Sequence, residues 1–253
     1  MLFKGLKRTS QSSLPTQDTH SVLDFKGALV INNPDKLKSV IGRETLVVCG
    51  AARGMTSLIS FTLFELGYYI GTDLQSQNFE DQDFYAAIPP RARFRGLLTS
   101  RPKFRALVRN RNAAHQRWGF KLPRAADYVE ELSETLRDPV FVLCVRNPLA
   151  IMRTIKRRNP HFKGSTPEFY KNGLGWLNAM GILMSSDSIP SIMVDMDDVR
   201  RDPETFLSDF TELLALNDVP EDLLERISRP GYKNSRRQPE VTFVGPRDKR
   251  DPQ

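Results

Sequence analysis

Cysteine, histidine and tryptophan are all scarce in this chain of 253 residues, with two, three and two copies. Cys49 and Cys144 each sit inside an apolar, β-prone run, so they read as small core residues in a reducing compartment, not as a disulfide framework. His20, His115 and His161 are scattered and no Cys/His pair has zinc spacing, which argues against a structural metal. Long apolar runs are missing as well: nothing reaches the roughly 18 residues of a membrane-spanning helix. The opening MLFKGLKRTSQSSLPTQ lacks the apolar centre of a secretory leader, so the expected location is cytoplasmic, with peripheral membrane contact left open.

A further absence is local. No acidic residue lies between Asp83 and Asp127, where Arg91, Arg93, Arg95, Arg101, Lys103, Arg105, Arg109, Arg111, Arg117, Lys121 and Arg124 all occur. Within a net charge of +7, such a block suits an anionic donor, an acidic acceptor, nucleic acid or a membrane surface; the plainer reading is a solvated helical face.

What remains is ordinary for a globular protein: 40% apolar and 26% charged residues, no internal repeat, and length for one well-buried α/β domain. Residues 1–20 read as a polar arm, 21–230 as the folded body and 231–253 as a basic tail rich in turn formers. The chain is organised around Thr45 to Gly67, TLVVCGAARGMTSLISFTLFELG. An apolar run (Leu46 to Cys49) leads into the turn Gly50, Ala51, Ala52, Arg53, Gly54, Met55, Thr56, Ser57, and then into a segment apolar nearly all round. A buried strand, a small-residue turn and a buried helix make a phosphate cradle, because turn amides and the helix N-terminus converge on one spot; an ordinary strand–turn–helix junction is the alternative. The nucleoside-triphosphatase loop G-x-x-x-x-G-K-[ST] would need glycine at Met55 and lysine at Thr56, and neither is present.

Upstream, Ser21 to Arg43 alternates short apolar pieces with Asn33-Pro34-Asp35 turn chemistry and reads as a lead-in strand or hairpin. Downstream, Asn78-Phe79-Glu80-Asp81-Gln82-Asp83-Phe84 sets three carboxylates beside aromatics, either to begin a helix or to carry an acceptor-facing base. Lys121 ends a brief strand that Pro123 stops, before a helix from Ala125 to Arg137. Pro139 to Val145, PVFVLCV, is a continuous apolar strand of the kind buried in a parallel sheet. Asn147 then suits an N-cap and Pro148 a first helical position, which leaves Arg146 at the carboxyl edge of the sheet, where open α/β folds bind ligands. Ser165-Thr166-Pro167-Glu168 predicts the start of one long helix to about Met184. Ile189 to Val194 reads as a strand entering the acidic corner Asp195–Val199; Asp202-Pro203-Glu204 caps another helix, and a last helix runs from Glu221 to Ile227.

The turn G-A-A-R-G-M-T-S resembles the 5′-phosphosulfate loop, G-x-P-[RK]-S-G-T-[ST], of sulfotransferases that use 3′-phosphoadenosine 5′-phosphosulfate (PAPS). Ala52 replaces the proline of that pattern, and Gly54-Met55 replaces its serine-glycine. Lys121-Leu122-Pro123 is similar to the family's K-x-P strand end, Arg146-Asn147-Pro148 with Thr154 to its 3′-phosphate site, and Asp195–Glu204 to its Y-E-D-L…D-P-E segment, with Met196 where the tyrosine stands. Arg236 and Arg237 lie where some relatives carry a C-terminal basic pair for the 3′-phosphate. The resemblance covers about residues 45 to 215, in family order. It implies a single P-loop-type α/β domain, a central parallel sheet with helices on both faces, and sulfuryl transfer from PAPS to a hydroxyl or amine.

Under that resemblance the loop amides with Thr56 and Ser57 hold the 5′-phosphate, and Arg146 and Thr154 the 3′-phosphate. Arg53 and Lys121 offset charge on the bridging oxygen, so no metal is required. Glu80, Asp81 or Asp83 is the expected base, ahead of His115. Charge alone suggests an acidic glycan or lipid head group as acceptor; nucleic acid is not the expected partner. The competing readings are a nucleotide kinase or nucleotidyl transferase on the same fold, disfavoured by the missing loop lysine, and a non-catalytic anion- or nucleic-acid-binding module.

Overall fold

The computed structural model describes residues 22–159, 161–229 and 240–245. The expected arm 1–20 and the pair Arg236 and Arg237 lie outside the described residues. The chain opens with β1 (Leu23–Lys26), β2 (Leu29–Asn32) and α1 (Pro34–Val40), then β3 (Thr45–Gly50) and α2 (Thr56–Glu65). Next come β4 (Asp73–Gln75), α3 (Gln82–Ala87), α4 (Pro102–Ala114), β5 (Trp118–Lys121), α5 (Val129–Thr135), β6 (Pro139–Val145) and α6 (Pro148–Arg158). The last third holds α7 (Thr166–Phe169), α8 (Leu177–Ser185), β7 (Ser191–Asp195), α9 (Met196–Arg201), α10 (Pro203–Leu213), α11 (Leu223–Ser228) and β8 (Thr242–Val244). No described helix is long and apolar enough to cross a membrane.

Six strands form the main sheet in the order β1-β2-β7-β6-β3-β5. The four from β7 to β5 are mutually parallel, as continuous apolar strands require of a sheet covered on both faces. The lead-in segment folds as an antiparallel hairpin added to the β7 edge, so the sheet is mixed around a parallel centre. Alternation along β3 sends Leu46 and Val48 to one core, with α2, α10 and α11, and Val47 and Cys49 to the other, with α4, α5 and α8. Both cysteine thiols are fully buried; desolvation pushes Cys49 up to about 12 and Cys144 up as well, which keeps them unreactive.

Parallel strands end at the same edge, and here that edge gathers Gly50, Lys121, Val145 and Asp195. Gly50 must be glycine: its φ is 134°, and a Cβ would lie 2.6 Å from the Cys144 carbonyl oxygen of β6.

Three sequence expectations change. The helix expected from Ala125 to Arg137 opens as a 3-10 turn over Pro123–Tyr128 and is α-helical only in α5. The single helix expected from Pro167 to Met184 is broken into α7, a π-helical turn over Tyr170–Leu174, and α8. Gly173 and Gly175 weaken the helix there, and the Trp176 indole N–H donates to the Gly173 carbonyl at 2.8 Å. Within the segment read as a tail, β8 pairs in parallel with β4. Phe243 of β8 packs on Phe64 and Phe79, each at 5.6 Å between ring centres.

The basic block is largely internal wiring. Arg91 pairs with Glu131 at 2.7 Å, Arg101 donates to the Ala87 carbonyl at 3.0 Å, and Arg105 to that of Thr99 at 2.7 Å. Arg117 holds buried Glu44 at 2.7 Å, and Arg124 donates to the carbonyls of Ile88 and Tyr85. A guanidinium suits this work because its fork of donors satisfies several carbonyls at loop ends together. These positions are tethers, a role that neither the anion- and membrane-facing readings of the block nor the solvated helical face included.

Candidate functional site

An open cleft of about 730 Å³ lies at the carboxyl edge of the sheet. The turn between β3 and α2 forms one wall. Its chain takes left-handed turns at Arg53 (φ 70°) and Met55 (φ 65°), held by bonds from the Gly54 amide to Ala51 O (2.9 Å) and from the Leu58 amide to Met55 O (2.8 Å). Gly54 supplies space: a Cβ there would sit 2.8 Å from the Ala51 carbonyl oxygen. Met55 occupies a conformation natural to glycine at a cost of about 1–2 kcal/mol, and its side chain packs on the core beside α2. As the N-cap residue of α2 it offers no side-chain acceptor, and the first turn of that helix holds no acid. The positive end of α2 therefore faces the cleft uncapped, with Thr56 and Ser57 at its lip.

Lys121, at the end of β5, is 1% exposed, and its ammonium lies 3.0 Å from the Glu80 carboxylate. Burial pulls Lys121 below its usual range, with Glu80 opposing. Arg53 is likewise lowered, first by burial and then by the charge of Arg158.

From the next strand, Arg146 donates to the Arg53 carbonyl at 2.9 Å, so β6 braces the turn directly. Its Nε is buried, has no hydrogen bond and lies 3.6 Å from Asp197, whose other oxygen accepts from the Asn147 amide at 2.9 Å. Asn147 caps α6 as expected, accepting from the Leu149 and Ala150 amides. Thr154, two turns along α6, also lines the cleft; its hydroxyl donates back to the Ala150 carbonyl at 2.8 Å and must turn to donate elsewhere. Asp195, Asp197 and Asp198 of the acidic corner are engaged in capping α9, bracing Arg146 and pairing with Arg201, and Met196 is a core residue.

The three candidate carboxylates part company. Glu80 lines the cleft. Asp81 is fully buried: one oxygen caps α3 through the Asp83 and Phe84 amides (2.9 and 3.1 Å), and the other meets Arg111 at 3.1 Å. Burial pushes its carboxyl up to about 6, against the pull of Arg111. Asp83 shares Arg111 at 3.2 Å and is not among the residues that line the cleft. Of the two readings left open for this carboxylate knot, Asp81 and Asp83 serve the helix start, and neither is among the residues that line the cleft. His115 stacks on Tyr69 at 3.6 Å, also outside the cleft. The separation is set at Phe79, which holds a left-handed φ of 57° inside a knot of Phe61, Phe64 and Phe243 and so turns the next residue, Glu80, toward Lys121.

The turn residues Ala52, Arg53, Met55, Thr56 and Ser57 thus share one cleft with Lys121, Glu80, Arg146 and Thr154. Sequence reasoning missed Asn78 as a lining residue, and Arg153, Arg157, Arg158 and Arg200. For the three on α6 a signal existed, since Arg153 and Arg157 are four residues apart and Arg158 is four from Thr154, on adjoining helix faces. Arg200 had none, because only the packing of α9 brings it to the rim.

No protein-family description matches the chain, and no curated protein matches it. Among solved structures it is similar to a sulfotransferase domain from the olefin synthase of Synechococcus PCC 7002 (15% identity, TM-score 0.48, covering 75% of this chain and 78% of that one). A sulfotransferase from Alicyclobacillus acidocaldarius gives 16% identity and a TM-score of 0.46 over 79% of this chain and 88% of that one. Sulfotransferase STF1 from Mycobacterium tuberculosis H37Rv gives 16% and 0.41 over 77% and 73%.

Proposed function

We propose that the protein is a sulfotransferase that takes the sulfuryl group from PAPS and passes it to a hydroxyl or amine. The observation that carries the reading is the meeting of two anion-suited pockets in one cleft: the uncapped turn before α2, and Arg146 with Thr154. An adenosine bearing charge at both its 5′ and 3′ ends matches that pair. The fit is supported by the bare end of α2, by the buried Arg146 Nε that lacks a hydrogen bond, and by a cleft of nucleotide size.

The donor supplies an activated sulfur; what the chain contributes is positioning and charge. Turn amides with the Thr56 and Ser57 hydroxyls hold the 5′-phosphate, and Arg146 and Thr154 the 3′-phosphate. Glu80, the carboxylate of the lining, accepts the proton of the attacking hydroxyl. Lys121 and Arg53 oppose the negative charge that grows on the bridging oxygen as its bond to sulfur breaks and the electron pair stays with it. The Glu80–Lys121 ion pair, at 3.0 Å, opposes the desolvation of the ammonium until substrate separates the two.

Thermal-shift titrations with adenosine 3′,5′-bisphosphate and with ATP and Mg²⁺ test the reading. Stabilisation by the bisphosphate, with release of the bisphosphate from PAPS that Arg53→Ala abolishes, is expected. Stabilisation by ATP alone would move the protein to phosphoryl transfer.

A further inference from the structure

Four arginines of the cleft have no task in holding the donor as described. Arg153, Arg157 and Arg158 on α6 and Arg200 on α9 are exposed, and among the described residues none of them makes a hydrogen bond or an ion pair. Several other arginines are engaged, Arg111 by two aspartates, Arg117 by Glu44 and Arg226 by Glu65, although among the described residues Arg95 and Arg109 also lack a side-chain partner. Like charges left unpaired around one cleft repel, and Arg158 is close enough to loosen the hold of Arg53 on its proton. Altogether, among the described residues, the lining sets seven cations against the carboxylate of Glu80, with Asp197 paired to Arg146 behind it. A PAPS-type donor brings about four negative charges near neutral pH, roughly two of them on the 3′-phosphate. With Asp197 also set against Arg146, about one positive charge is then unmatched when the donor is bound.

We propose that Arg153, Arg157, Arg158 and Arg200 form the acceptor subsite, and that the acceptor is a sugar or polyol carrying a phosphate, sulfate or carboxylate of its own. The proposal rests on the donor reading above. Guanidinium forks grip such groups bidentately, so the anchored anion fixes which hydroxyl meets the sulfur. The acceptor oxygen bonds to sulfur as the bridging S–O bond breaks, its proton passes to Glu80, and the bisphosphate leaves with the bridging electron pair.

The test uses the full chain with radiolabelled PAPS and matched probes. Methyl glucoside is the neutral one, methyl glucuronide and glucose 6-phosphate the soluble acidic ones, and phosphatidylinositol vesicles present the same chemistry on a lipid. Transfer to at least one acidic probe is expected, with kcat/KM about tenfold or more above the neutral probe. The double variant Arg157→Gln, Arg158→Gln should cut that preference about 10–100-fold, while equilibrium affinity for adenosine 3′,5′-bisphosphate changes less than about threefold. Transfer confined to the vesicles, or to soluble probes, supports the subsite and identifies the source. Equal use of the neutral probe, a preference that survives the substitutions, or bisphosphate affinity that falls in step with them overturns the proposal. So does a bisphosphate-binding protein that sulfates no acidic probe; a wild-type chain that does not bind bisphosphate removes instead the donor reading beneath it.

Discussion

Lys121→Met separates the chemistry of the cleft from the stability of the fold. Lys121 is 1% exposed and its ammonium meets one partner, Glu80, at 3.0 Å. Methionine keeps most of the buried stem and removes the charge. Deleting one member of a fully buried pair costs about 3–5 kcal/mol, because the survivor is stranded. Glu80 is not stranded: its side chain is 16% exposed on an open cleft and can turn to water, and a desolvated ammonium is relieved at the same time. The expected loss of stability is therefore about 1–2 kcal/mol, a fall in Tm of about 2–8 °C for a domain of this size. Donor binding should suffer more. Loss of one charge-assisted hydrogen bond, about 1.5–3 kcal/mol, weakens adenosine 3′,5′-bisphosphate about 10–150-fold. Transfer should fall further, by about 10²–10³ in kcat, because the lost ammonium meets charge that exists only as the bridging bond breaks. Calorimetric titration gives the affinity, thermal denaturation the stability, and release of bisphosphate from PAPS the rate. A well-folded variant that turns over within threefold of wild type refutes the role assigned to Lys121.

Glu80→Gln should slow transfer about 10²–10⁴-fold yet bind the bisphosphate as tightly or more so, since it removes the carboxylate of a cationic lining; weaker binding would contradict this. Gly71→Ala should destabilise the fold by about 2–4 kcal/mol in thermal or denaturant unfolding, because at φ 123° its Cβ would lie 2.5 Å from the Asp81 carboxylate and dislodge the cap of α3; an unchanged Tm would refute that. Asp81 gives a pH signature. Its folded pKa of about 6 exceeds the unfolded 3.8, so the folded state holds the proton more tightly and stability falls as pH rises from about 4 to 6, by at most about 3 kcal/mol, and then levels. Asp81→Asn should flatten that slope in unfolding measured across the range, and an unchanged slope would assign it to other groups.

The parts legible in the sequence are those where local preference and tertiary role agree. Pro139 to Val145 runs into Arg146-Asn147-Pro148, so β6, the bracing arginine and the cap of α6 follow from the chain itself. The buried strand and helix around the Gly50 turn are readable for the same reason. The sorting of Glu80 from Asp81 and Asp83 is not, because it depends on a left-handed Phe79 that only the surrounding rings hold in place, one of them contributed by the distant β8. The arginine tethers are equally hidden: many of their acceptors are main-chain carbonyls such as Ile88 and Leu214, and a carbonyl leaves no mark in a sequence. Met55 is the reverse case. The sequence makes it look misplaced in a phosphate-binding turn, and the structure shows the strain borne by a left-handed N-cap while the side chain is taken up by the core.

The two-pocket account is tested most directly by calorimetric titration of adenosine 3′,5′-bisphosphate against adenosine 5′-phosphate at physiological salt. A 3′-phosphate held by Arg146 and Thr154 should add about 2–3 kcal/mol, so the bisphosphate should bind about 30–150-fold more tightly, and Arg146→Gln should erase most of the difference. Equal affinity for the two nucleotides, or a difference that Arg146→Gln leaves intact, would contradict it.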